Sequence, residues 1–179
     1  MPISYPISEF VVADTGVFWD IAYCPIPNGL TPEKIYHNIK LALKNMGYYG
    51  KVSIYVYGDE NLNPKDIETT GIKCVFTGDE QTRVDKIIHD LTFWGIRKKK
   101  EERRANVMLI AGSKAKDPIY VKFLGYLRSI NTNILLAQPE KLPNPIDEAS
   151  GWLLRYVSEV WIWNSLAAGE KPIYGADAY

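Results

Sequence analysis

Strand-like and helix-like segments alternate along this chain, which predicts an α/β domain: a mostly parallel sheet of five or six strands, with helices on both faces. Three observations carry that expectation. Short runs rich in β-branched and aromatic residues recur, separated by stretches with helical apolar spacing. The run Val107 to Ala111 is continuously apolar, as suits a strand buried on both faces. The strand-like runs give way to Gly, Asp or Pro, the residues that punctuate loops.

The elements follow in order. Val17-Phe18-Trp19 leads into Asp20 and a Pro/Gly turn, Pro25 to Gly29, so it reads as a buried strand ending in a loop. Thr31 is a good N-cap and Pro32 a good first helical residue. Ile35, Ile39, Leu41, Leu43 and Met46 then form an apolar helix face up to Gly47. Val52, Ile54 and Val56 alternate with Ser53, Tyr55 and Tyr57, a second strand. Pro64 to Thr69 suggests a short helix, and Ile72 to Phe76 a third strand closed by Gly78-Asp79. The spacing Val84, Ile87, Ile88, Leu91, Trp94 is helical within Gln81 to Ile96. A fourth strand at Val107 to Ala111, a helix at Ile119 to Leu127 and a fifth strand at Ile134 to Ala137 complete the alternation. A helix is expected at Glu148 to Val157, and Val160 to Trp163 is either a sixth strand or that helix continued.

The chain has 179 residues, enough for one domain, with loose ends expected at 1–12 and 173–179. It carries 21 Lys+Arg against 21 Asp+Glu, a formal net charge of zero, which argues against nucleic-acid binding by bulk charge. At 46% hydrophobic and 12% aromatic it is not a disordered chain. No apolar run is long enough to span a membrane, and Met1 to Phe10 does not read as a signal peptide. Cys24 and Cys74 form no metal-type pair, so a reduced, intracellular protein is expected.

In parallel sheets the site lies at the carboxyl ends of the strands, near the point where the winding reverses. The informative residues therefore follow the strands: Asp20, Asp59, Asp79 and the Gly112-Ser113 turn. A carboxylate such as Asp20 must be solvated, paired or bound to a cation. Acids at strand ends suit hard divalent ions such as Mg²⁺, which take oxygen ligands. Asp85 sits where the helix dipole favours it, and Asp90 can pair with Lys86 one turn earlier. The run Arg97, Lys98, Lys99, Lys100, Glu101, Glu102, Arg103, Arg104 has six basic residues against two acidic; it is a loop or a helix extension, and reads as a phosphate-binding segment or a solvated linker. His37 and His89 lack metal-spaced partners, and Trp161 and Trp163 read as packing residues. Tyr23, Tyr48, Tyr49, Tyr55 and Tyr57 could stack on bases, and only Tyr23 and Tyr57 are close to strand ends, but packing or rim positions are the better reading of all five. No GxSxG, Walker or GxGxxG motif is present.

The segment Gly16 to Pro27, GVFWDIAYCPIP, resembles the opening of NYN domains, a branch of the PIN-like ribonucleases. The likeness continues through Lys34 to Asp59, Val84 to Trp94, Asn133 to Pro139 and Val160 to Pro172, and is greatest toward the limkain-b-type plant group. The resemblance implies a Rossmann-like three-layer α/β/α sandwich, an acidic Mg²⁺ or Mn²⁺ site and cleavage of RNA. Carried over, Asp20 matches the first metal-binding Asp, Asp85 and Lys86 match an Asp-Lys pair, and Asp90 a later Asp. The chain also departs from the pattern. Ala22 and Tyr23 replace Glu and Asn, and Ala111-Gly112-Ser113-Lys114-Ala115 replaces a Ser-Gly-Asp-x-Asp stretch.

The expected centre is thus Asp20 and Asp85 on one metal, supported by Asp59, Asp90 and Ser113. Arg97 to Lys100, Arg103, Arg104 and Lys114 would contact RNA, expected to be single-stranded. The resemblance also suggests a cytoplasmic or peroxisome-associated setting and allows a homodimer or protein partner. Three functions remain open: a metal-dependent endoribonuclease, a catalytically impaired domain that binds RNA, and a protein-interaction module. A Tyr23 or Lys114 side chain filling the space beside Asp20 would disfavour the first.

Overall fold

The structure is a computed structural model and describes residues 10–112, 118–139 and 155–175. Its strands are β1 (Thr15–Asp20), β2 (Val52–Gly58), β3 (Ile72–Thr77), β4 (Ala105–Ile110), β5 (Thr132–Gln138) and β6 (Glu159–Ile162). They form one six-stranded sheet in the order β3-β2-β1-β4-β5-β6. Every neighbouring pair is parallel, with Val17 of β1 opposite Ile54 on one side and Met108 on the other. The segment around Val160 is therefore a strand. The chain winds outward from β1 through β2 and β3, then outward the other way from β4, so the reversal lies between β1 and β4.

The helices are α1 (Pro32–Asn45), α2 (Glu80–Lys100), α3 (Pro118–Ser129) and α4 (Trp163–Ala167). Thr31 caps α1 by accepting the Lys34 N–H at 3.2 Å, and Gly47, at φ +91°, carries the chain away from its end. The short helix expected at Pro64 contracts to a single 3₁₀ turn, Pro64–Asp66. Helix α2 runs past the expected Ile96 to Lys100 and absorbs half of the basic run. Nothing in Arg97-Lys98-Lys99-Lys100 breaks a helix, and cations in a last turn suit the negative end of the helix dipole. The helix expected at Glu148 to Val157 falls largely outside the described residues.

Side chains leave β1 alternately on its two faces. Val17 and Trp19 pack with Met108, Ile110, Ile35, Ile39 and Leu166 beneath α1 and α4. Phe18 packs with Val107, Leu109, Ile87, Leu91 and Leu124 beneath α2 and α3. All residues of β1, β4 and β5 are buried, as a sheet covered on both faces requires. Described residues near each end hydrogen-bond to the sheet or its loops. Asn106 Nδ2 donates to the Phe10 carbonyl at 3.1 Å, and Tyr49 N–H to that of Val11 at 2.7 Å. At the other end Ile173 N–H donates to Val160 O at 2.7 Å and Val160 N–H to Tyr174 O at 3.0 Å, so these residues extend the sheet edge.

The approach of α2 to β1 depends on Gly16, where a Cβ would stand 2.8 Å from Trp94 Cε2. Gly16→Ala should therefore destabilise the fold by about 1–3 kcal/mol through overpacking, read from the midpoint of urea unfolding.

Candidate functional site

Asp20 closes β1 beside the winding reversal, where ligands bind in sheets of this kind. The loop that follows is held by indoles: Trp19 Nε1 donates to the Cys24 carbonyl at 2.7 Å, and Trp163 Nε1 to that of Pro25 at 2.7 Å. The two rings lie 4.9 Å apart. Trp163 thus packs, as expected, and also anchors the site loop. Cys24 is no nucleophile: burial, with Asp20 nearby, pushes its thiol up to about 12.

Asp20 is 2% exposed. Its Oδ1 accepts the Ala22 N–H at 3.2 Å and stands 3.0 Å from Arg83 Nε. The Nε contact is an ion pair off the line of a well-formed hydrogen bond. Arg83 is itself 4% exposed, and its second anchor is the Gly78 carbonyl, 3.2 Å from Nη1. Burial raises the Asp20 pKa above its ordinary value, and Arg83 opposes that rise without cancelling it. Tyr23 completes the arrangement. Its hydroxyl donates to Glu80, its ring lies 5.9 Å from Arg83 Cζ, and a Cβ on Gly112 would meet the ring at 2.7 Å. The space between the ends of β1 and β4 is therefore filled by Tyr23.

The partner that α2 offers to Asp20 is thus Arg83. Asp85 is exposed and accepts from Gln81 Nε2 at 3.0 Å. Two residues beyond Arg83 is a rotation of about 200° around the helix, so Asp85 faces away from Asp20. Asp90 lies further along α2, where Tyr57 donates to it at 2.7 Å and Lys86 at 2.9 Å, with His89 Nδ1 at 3.0 Å. Partial burial raises its pKa, but these contacts outweigh burial and hold the carboxyl below its ordinary value. The expected Lys86–Asp90 pair is present. Asp59 is exposed and accepts the Asn61 N–H at 2.9 Å in a turn. Asp79 caps α2 by accepting from Thr82 N–H at 2.9 Å. Ser113 and Lys114 lie outside the described residues.

Two residues of the centre, Glu80 and Arg83, were not foreseen. Arg83 had a readable signal: it stands four before Ile87 and eight before Leu91, a charge within the buried stripe of α2.

The basic run occupies the other end of the sheet. Helix α2 starts at the carboxyl edge and ends at the amino edge, so Lys99 is roughly 24 Å along it from Arg83 at 1.5 Å per residue. Lys98 is buried, pairs with Asp14 at 3.1 Å and lies 4.7 Å from the Trp94 ring centroid. Its charge is spent within the protein. Lys99 and Arg103 are exposed and line a cavity of about 600 Å³ together with Asp14, Arg104 and Asn131. Arg104 Cζ lies 5.9 Å from the Phe10 ring.

The six-stranded parallel sheet, with Asp20 at its reversal point, agrees with the sequence match. The family model of the NYN domain matches residues 14–151. The chain belongs to the NYN domain family. No curated protein matches the chain. Membership places this NYN domain in the PIN-like nuclease class, which works on RNA and generally uses divalent metal ions. The described donors do not fit such an ion. A guanidinium already stands 3.0 Å from Asp20 Oδ1 and supplies the positive charge an ion would bring, and Tyr23 engages Glu80. Among the described residues no group of three or more His, Cys, Asp or Glu could hold a metal.

Breaking a buried pair leaves an uncompensated charge. Arg83→Met should cost about 3–5 kcal/mol near neutral pH. The substitution removes the one cation opposing the rise of the Asp20 pKa, so the stability of the variant is greatest with Asp20 protonated and falls as pH rises above 3.8, the ordinary carboxyl value. Urea unfolding at acidic and neutral pH should show the smaller loss at acidic pH.

Proposed function

We propose that this NYN domain binds RNA through the basic end of α2 and does not cleave it with a metal at Asp20. The carrying observation is the Asp20–Arg83 pair, which meets the carboxylate's charge from within the protein at 3.0 Å. Membership of a nuclease class that works on RNA supports the ligand. Lys99, Lys100 and Arg103, exposed at the end of α2 and just beyond it, supply cations suited to a phosphate backbone. Such contacts hold the strand without reading its sequence. The resemblance to the limkain-b-type plant group supports a role in regulating gene expression.

The chemistry follows from the charges. Divalent-metal catalysis requires an ion that activates water and neutralises the phosphodiester oxygens. Arg83 can neutralise charge but cannot lower the pKa of a bound water as a metal does. Backbone binding needs only solvent-exposed cations, and these lie at the opposite end of α2 from Asp20.

Single-stranded RNA should bind with an affinity that falls as salt rises. Replacing Lys99, Lys100 and Arg103 by Ala should flatten that log–log slope by about 2, at roughly 0.7 per phosphate contact on a single strand. Anisotropy across a salt series measures it, and RNA incubated with Mn²⁺ should stay intact. Mn²⁺-dependent cleavage abolished by Asp20→Asn would overturn the reading.

A further inference from the structure

A second cavity, of about 240 Å³, opens between α2 and the outer part of the sheet, away from both Asp20 and the large basic cavity. One wall is aromatic and already ordered: Tyr55 stacks on Phe18 at 5.4 Å and meets Trp94 edge-on at 6.1 Å. Phe93 also lines the cavity, with 56% of its surface exposed and its ring stacked with that of His89 at 6.2 Å. Lys73, Lys86 and Arg97 also line the cavity, so cations surround the aromatic surface. Asp90 adds one acceptor. Trp94 lines the cavity although only 7% of its surface is exposed, and its ring is held there by Phe18 and Tyr55.

We propose that this cavity receives one nucleotide of single-stranded RNA, its base against Phe93 and Tyr55 and its phosphate toward Lys73 and Arg97. The inference rests on the RNA-binding reading for its biological ligand, but the pocket chemistry stands separately. A base offers a flat π-face for the aromatic wall. A ribose hydroxyl can donate to Asp90, and the phosphate needs the cations. A purely apolar ligand would leave the cations unmet. The volume lies below the roughly 300–1,000 Å³ of pockets for drug-sized ligands, which suits one base rather than two. Arg97 also belongs to the last turn of α2 with Lys98, Lys99 and Lys100, so a strand leaving the cavity meets the basic end directly.

The test is a titration of the full chain with adenosine 5′-monophosphate, followed through the tryptophan indole N–H signals in ¹H–¹⁵N spectra. Trp94→Phe identifies the relevant signal. A saturable shift of that signal is expected. Phe93→Ala, at an exposed position that leaves the core intact, should weaken binding about tenfold, and Phe93→Trp should restore it. Lys73→Gln should narrow the preference for the monophosphate over adenosine. No saturable shift at Trp94, or a shift indifferent to Phe93→Ala, overturns the proposal. Anisotropy with a single-stranded RNA is run beside it. RNA binding without nucleotide binding at Trp94 removes the pocket alone, and nucleotide binding without RNA binding removes the RNA-binding reading and with it RNA as the occupant of the cavity.

Discussion

A carboxylate ends the most enclosed strand of the sheet, and much of the molecule is arranged around that charge. All of β1 is buried, with β2 on one side and β4 on the other. Asp20 cannot escape to water, so something positive must meet it. Arg83 does so from the first turns of α2, and the need to bring it there constrains the helix start. Asp79 caps the helix, Gly78 accepts from the guanidinium, and Glu80 is tied back to Tyr23 across the site. The closed pair stabilises the fold and, by the same contact, takes up the charge on which divalent-metal chemistry would depend.

Helix α2 separates two electrostatic regions. Its first turns face the acid of β1 and its last turns carry the basic run, with the length of the sheet between them. The net charge of zero conceals this arrangement, because acidic and basic groups cancel in the sum whether or not they are neighbours in space. Within the basic run the residues divide again. Lys98 turns inward to Asp14 and Trp94, which fixes the helix end against the chain before β1. Lys99, Lys100 and Arg103 face solvent and remain available to a polyanion. Between the two ends, the exposed Phe93 and the ordered rings of Tyr55 and Trp94 add a surface that charge alone does not provide.

Much of the architecture was legible in the residues. The continuous apolar run at Val107, the alternation at Val52 and the cap at Thr31 each depend on neighbours within a few positions, and each appears where expected. The segments with two readings were settled by partners elsewhere. Lys98, in the last turn of α2, meets Asp14, which is 84 residues away in sequence. The strand at Val160 depends on pairing with β5 and with Tyr174.

The candidate centre shows the same division more sharply. By itself the sequence determined that Asp20 would end a buried strand at a functional edge, because a carboxylate after Val17-Phe18-Trp19 has few alternatives. It also determined the family, through motifs distributed over most of the chain. Only the tertiary structure decided which residue would answer that carboxylate. Asp85 and Arg83 are two positions apart, yet the helix turns them to opposite sides, and the packing of Ile87 and Leu91 against the sheet selects the side that faces Asp20. Strand and helix periods are local and can be read along a chain. The rotation of a helix about its axis is set by what it packs against, and here that rotation puts an arginine rather than an aspartate beside Asp20.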